Sequence, residues 1–199
     1  MDIGEWSCEV PPVSVVGDGF CFPYVKELVV KKTIKKMSTA QFDVLDVSGN
    51  LVLQVDGSVW NIKMKRTVHD PAGFPILTMY GKALTFWHKW RAYEGKNTEE
   101  SALIFSMKQS RPLQIKKELY IYLAENFKEK DPDFRVTGSY TSLSFKVYKG
   151  PRLIAEVKHN FTLESFYKGK EMYRVIVYPE VDYAFIVALL VAVDENDTP

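Results

Sequence analysis

Three things are scarce in this sequence: cysteine, an excess of either charge, and any sustained helical period between residues 40 and 180. The only cysteines are Cys8 and Cys21, which is no disulfide framework, and they form no CxxC pair. The 26 Lys+Arg residues are balanced by 25 Asp+Glu, a formal net charge of +1. No global basic field draws such a chain onto nucleic acid, so nucleic acid is not an expected partner and any polyanion site has to be a local patch. The start, MDIGEWSCEV, lacks the apolar core of a secretory signal, and Asp2 excludes myristoylation. Asn160-Phe161-Thr162 and Asn196-Asp197-Thr198 match the glycosylation pattern and, without a secretory route, are read as chance. A cytoplasmic location is expected, with access to the membrane periphery or the nucleus.

Catalytic signatures are also missing. There is no Gly-x-Ser-x-Gly elbow, phosphate-binding loop or dinucleotide fingerprint. His69, His88 and His159 are scattered without metal-ligand spacing. No catalytic residue, cofactor or metal is expected, and an enzyme is the weakest alternative. The two Asp-x-x-Gly stretches, at 46–49 and 70–73, lack the alternating oxygens and closing Glu of a calcium loop. They read as turns, with Asp bonding its own backbone and Gly supplying positive φ.

What the chain does have is 46% hydrophobic and 14% aromatic residues in a period-2 rhythm. Phe42 and Val44 share a face, as do Leu51, Leu53 and Val55 beyond the turn Ser48-Gly49-Asn50. Phe86, His88, Trp90 and Ala92 alternate likewise, as do Leu119, Ile121 and Leu123, and Tyr173, Val175 and Val177. About eleven or twelve candidate strands without intervening helices argue an antiparallel sandwich or barrel. Residues 1–24, with Pro11, Pro12, Gly17, Gly19 and Pro23, read as an irregular arm. Residues 25–199 show no linker and read as one domain.

One stretch breaks the rhythm: YAFIVALLVAV, residues 183–193. It is too short to span a bilayer, which takes about twenty residues. It has no polar face for an interfacial helix. A buried strand and a buried helix both remain: Val and Ile suit a strand, but its length, and Pro179, Glu180 and Asp182 before it, favour a helix over about residues 181–194. A helix apolar all round must be enclosed by protein, and here the natural enclosure is a barrel made of the strands. Tyr183, Phe185, Ile186, Leu189, Leu190 and Val193 are its expected core side chains.

The stretches FDVLDVSGNLVLQV, HDPAGFPILTM, WHKWRAYEG and GKEMYRVIVYPEVDYAFIVALLVAVDE resemble the plant LURP-one-related proteins. These are similar in fold to the C-terminal domain of tubby proteins and to phospholipid scramblases. The resemblance covers nearly the whole chain. It implies a closed antiparallel barrel of about 12 strands around a hydrophobic C-terminal helix, and a non-enzymatic binding role linked to plant defence. It favours a strand for residues 26–37, where the spacing alone also allows a helix. Two turn positions depart from the family pattern: Glu180, where Gly or Asn is frequent, and Glu171, where Asp is.

A candidate site remains on the outside of the barrel. Lys31, Lys32, Lys35 and Lys36 cluster; Lys63, Lys65 and Arg66 follow Trp60; and Trp87, Lys89, Arg91 and Tyr93 alternate with the core-facing residues 86–92. Cations beside amphipathic rings suit an anionic membrane surface. An anionic phospholipid or phosphoinositide is the expected partner on this reading, with a protein partner as the other. The plainer account is that lysines guard strand edges against aggregation.

Overall fold

Among the described residues, the runs in which apolar and polar residues alternate are strands in the computed structural model. It describes residues 11–35, 39–60, 63–82, 89–109, 118–139, 144–160 and 170–197. The strands are β1 (Lys26–Lys35), β2 (Thr39–Asp46), β3 (Leu51–Trp60), β4 (Lys63–His69), β5 (Pro75–Lys82), β6 (Trp90–Glu94), β7 (Leu103–Gln109), β8 (Glu118–Leu123), β9 (Phe134–Ser139), β10 (Ser144–Lys149), β11 (Arg152–His159) and β12 (Lys170–Val177). Each pairs antiparallel with its neighbour in sequence, and β1 closes the barrel on β12. Residues 26–35, open to either reading, are therefore strand. Closure leaves no edge exposed.

The turns follow the chemistry of their residues. Asp46 Oδ1 accepts from the backbone N–H of Ser48 and of Asn50, each at 2.9 Å, and Gly49 takes φ 85°. Asp70 Oδ1 accepts from Phe74 N–H at 2.8 Å, and Gly73 takes φ 87°. Inside, glycines make room for the largest inward side chains. A Cβ on Gly81 would come within 2.7 Å of Trp90, its partner across β5 and β6.

The helix α1 (Tyr183–Asp197) fills the barrel. From Ala184 to Val193 every residue is at most 1% exposed. Phe185 packs edge-on against Phe105 at 5.3 Å between ring centroids and at a tilt against Phe134 at 4.9 Å. Each large side chain so buried contributes roughly 1.5–3 kcal/mol. The hydrogen-bonded wall and the apolar axle are each the other's escape from water.

A buried helix still has orphan N–H groups at its start. Asp182 caps them: Oδ1 accepts from Phe185 N–H at 2.9 Å. Its Oδ2 accepts from three consecutive arm amides, Val15 at 3.2 Å, Val16 at 2.6 Å and Gly17 at 3.1 Å. Burial pushes this carboxyl up, and the four N–H donors oppose the shift. Glu180 next to it is clamped on both sides of its peptide, its N–H donating to Phe22 O and its O accepting from Val13 N–H, each at 2.7 Å. The clamp holds it at φ 61°, a conformation that suits glycine.

The far end of the helix corrects one expectation. The helix runs to Asp197, three residues past the predicted end, and carries Asp194 and Glu195 inside the barrel. Two candidates for the outer surface point inward to meet them. Lys32, 6% exposed, lies with Nζ 2.8 Å from Asp194 and 3.3 Å from Glu171. Tyr173 O–H hydrogen-bonds both of those carboxylates. Arg66, 1% exposed, donates from Nε at 3.1 Å and Nη2 at 2.5 Å to Glu195 Oε1. Lys32 falls in the inward register of Leu28 and Val30, and Arg66 in that of Val68. Carboxylates face the negative end of the helix dipole and need cations there. Burial disfavours the Lys32 ammonium, but Asp194 and Glu171 outweigh it and hold its pKa above the ordinary lysine value. A Cβ on Gly57, opposite Arg66 across β3 and β4, would strike the guanidinium at 2.5 Å.

Three outcomes test this account. Leu189→Asp places a charge in the axle and is expected to give aggregated or unfolded protein; a soluble variant with native circular dichroism contradicts it. Glu180→Gly relieves the left-handed backbone and is expected to add about 1 kcal/mol, read as a rise of about 2–4 °C in Tm. Lys32→Met strips Asp194 of its cation and is expected to cost about 3–5 kcal/mol in urea unfolding. Adding Asp194→Leu to it recovers most of that loss, because two apolar groups replace the pair.

Candidate functional site

With the interior filled, the outward positions carry what chemistry the barrel offers. The cross-strand register puts Lys65 of β4 beside Tyr80 of β5, Tyr80 beside Arg91 of β6, Arg91 beside Ser106 of β7 and Ser106 beside Tyr122 of β8. One step along, Lys108 lies beside Tyr120, Tyr120 beside Arg135 of β9, and Arg135 beside Tyr148 of β10. Cations and phenol rings thus neighbour each other in two stretches, β4 to β6 and β7 to β10, joined where Arg91 meets Ser106; Ser106 and Tyr122 lie beneath the row, 5% and 4% exposed.

They also touch. Lys65 Nζ lies 5.7 Å from the Tyr80 ring centroid, and Lys108 Nζ 4.5 Å from that of Tyr122. The Arg91 guanidinium lies 5.5 Å from Tyr93 and that of Arg135 5.7 Å from Tyr148. Tyr80 and Tyr93 meet edge-on at 6.1 Å. At such separations a cation is attracted to the ring face.

Two glutamates sit on the row. Glu100 pairs with Arg91, which raises the Arg91 pKa, chiefly through their hydrogen bond. Glu129, from the connection between β8 and β9, reaches Lys89 at 3.4 Å, Lys108 at 3.0 Å and Ser106 Oγ at 2.8 Å. Partial burial works against its charge. The hydrogen bonds from Lys108 and Ser106, and the ammoniums of Lys89 and Lys108, prevail and hold its carboxyl down at about 2.

Of the residues singled out in the sequence, Lys65, Lys89, Arg91 and Tyr93 fall in this region. Tyr93 is 7% exposed but outside the apolar core. Lys31 is exposed on β1, opposite Asp43 of β2 and away from the row. Lys32 and Arg66 are interior. Lys35 ends β1 and Lys63 begins β4. Lys36, Trp87, His88 and Cys8 lie outside the described residues. Sequence reasoning missed Tyr80, Lys108, Tyr120, Tyr122, Arg135 and Tyr148. The signal was there, since Tyr120 and Tyr122 alternate with the core residues Leu119 and Ile121, and Lys108 follows the core residue Met107.

Other chemistry is sparse. His69 Nδ1 lies 3.9 Å from Asp56, and the His159 ring is tilted against Tyr173 at 4.9 Å. The Cys21 thiol is pushed up to about 11 by burial and by Asp182 nearby, away from a nucleophilic thiolate. Among the described residues there is no group of three or more side chains fit to hold a metal ion, and no helix is long and apolar enough to cross a membrane.

Comparison with known proteins places this barrel. The LURP-one-related family model matches residues 26–194. The chain is 45% identical to LURP-one-related protein 14 of Arabidopsis thaliana over 97% of its length and 95% of the relative's. It is 41% identical to LURP-one-related protein 9 of the same plant, over 92% and 98%. An X-ray structure of an Arabidopsis thaliana protein superposes with a TM-score of 0.69 at 30% identity, over 92% of this chain and 98% of that one. The chain belongs to the LURP-one-related family.

Proposed function

We propose that this protein is a binding protein without catalytic function, and that it meets an anionic membrane surface through the outward row from Lys65 to Tyr148. The observation that carries this reading is the register itself, cation beside phenol from β4 to β6 and again from β7 to β10. Phenol rings favour the boundary between headgroups and acyl chains, while ammonium and guanidinium groups stay with the phosphates. The filled interior supports a role on the surface, because α1 occupies the space in which a barrel would otherwise enclose a substrate. Tyrosine and arginine are also the residues that concentrate at protein contacts, so a protein partner docking on the same row is the second reading.

Vesicle co-sedimentation decides between them. The wild type is expected to pellet with phosphatidylcholine vesicles containing phosphoinositides, not with phosphatidylcholine alone, and to be released as salt shortens the Debye length. Lys65→Ala with Arg135→Ala removes two surface cations and is expected to weaken binding roughly 30-fold, at about 1 kcal/mol each. Equal recovery with neutral and anionic vesicles at low salt refutes the membrane reading and leaves the protein partner standing.

A further inference from the structure

The contact that most interrupts the cationic row is Glu129, and the chain goes to some length to make it. Glu129 adopts φ 44°, the left-handed region that a glutamate normally avoids. The connection around it is braced. Glu129 N–H donates to Asn126 O at 2.9 Å, and Asn126 Nδ2 donates to Asp131 O at 2.7 Å and Asp133 Oδ2 at 3.0 Å. Asp133 Oδ2 also accepts from Leu123 N–H at 2.9 Å. The braced loop folds over the outside of β7 and sets a carboxylate among three donors. Ser106 Oγ and Lys89 Nζ reach Oε1 at 2.8 and 3.4 Å, and Lys108 Nζ reaches Oε2 at 3.0 Å.

Charge and donor count do not match the occupant. Two ammoniums face a single carboxylate, and three donors share its two oxygens. Arg91 adds to the positive field, with Glu100 against it. A phosphate monoester carries a charge of about −1.5 to −2 and three free oxygens, which fits both counts. The geometry points to Ser106, Lys108 and Lys89 as a phosphate-monoester site that the Glu129 carboxylate fills in the free chain. Glu129 is then an internal competitor: a tethered group acts at an effective concentration on the order of millimolar, so only a ligand with the full complement of charge displaces it. The inference rests on the proposed membrane reading only for the source of the phosphate. It is either a lipid headgroup or a soluble phosphate.

The test uses the full chain. Glu129→Gly removes the carboxylate and suits the left-handed backbone, so the loop keeps its shape. Thermal shift is followed against inorganic phosphate, with sodium chloride at matched ionic strength as the reference. Glu129→Gly is expected to show saturable stabilisation by phosphate, with the wild type about tenfold weaker. Adding Lys108→Ala abolishes the effect. A Glu129→Gly protein that retains native circular dichroism but responds to phosphate no more than the wild type overturns the site, and Glu129 then only anchors its loop. Vesicles supply the second arm. A preference of Glu129→Gly for phosphoinositide-phosphate over phosphatidylserine vesicles of equal charge identifies a headgroup. A phosphate response without vesicle binding supports the site with a soluble ligand and refutes the membrane reading. Wild-type vesicle binding without any phosphate gain in Glu129→Gly does the reverse.

Discussion

Everything in this structure depends on the burial of one helix that has no polar side along most of its length. A helix apolar all round cannot rest on a surface; it has to be surrounded. Twelve antiparallel strands, each needing a buried face and the outermost two needing partners, supply the enclosure and complete their own hydrogen bonding by closing on it. The apolar faces that the strands turn inward are the faces the helix covers, so either part alone would leave them to water. The folding unit is the pair.

The cost of this arrangement falls at the helix ends, where backbone groups and charges must be satisfied far from bulk water. At the N-terminal end Asp182 does two jobs with two oxygens, capping the helix and tying down the arm through Val15, Val16 and Gly17. At the other end Asp194 and Glu195 would be opposed by both burial and the helix dipole. Lys32 and Arg66 enter from the wall to neutralise them. Such pairs add little net stability compared with apolar substitutes. They favour one rotation and depth of the helix, because a slip would take Asp194 from Lys32, leaving it Glu171 alone, or Glu195 from Arg66.

This division also explains what could be read in advance. Alternation identified the strands because one side of each faces an apolar axle, and the run at 183–193 identified the axle because nothing else tolerates it. Lys32 and Arg66 read as surface cations because each sits in a basic cluster, beside Lys31 and Lys65. Their partners, Asp194 and Glu195, lie more than a hundred residues away, where the end of the apolar run suggests that the helix stops. The row from Lys65 to Tyr148 was legible in pieces, strand by strand, but its continuity is a property of register, and register is set by turns and bulges such as the one between Ala92 and Tyr93. Glu129 was not legible at all. Its role depends on a connection folding back over β7, and no local pattern announces that.

A barrel plugged by its own helix gains rigidity and gives up the enclosed cavity through which most barrels recognise small molecules. Such a barrel leaves only its outer face for recognition, and there a sheet offers shallow rows in place of an enclosed cavity. Shallow rows favour extended, charged partners, for which many weak contacts at regular spacing suffice. The spacing here is that of the strands, about 4.8 Å, so neighbouring cations and rings lie close enough to act on one surface together. Within that row the β8–β9 connection sets the Glu129 carboxylate where three donors converge, Ser106, Lys108 and Lys89. The same closure that removed the interior site keeps these donors in register, because a wall braced on both sides cannot shear without displacing the helix within it.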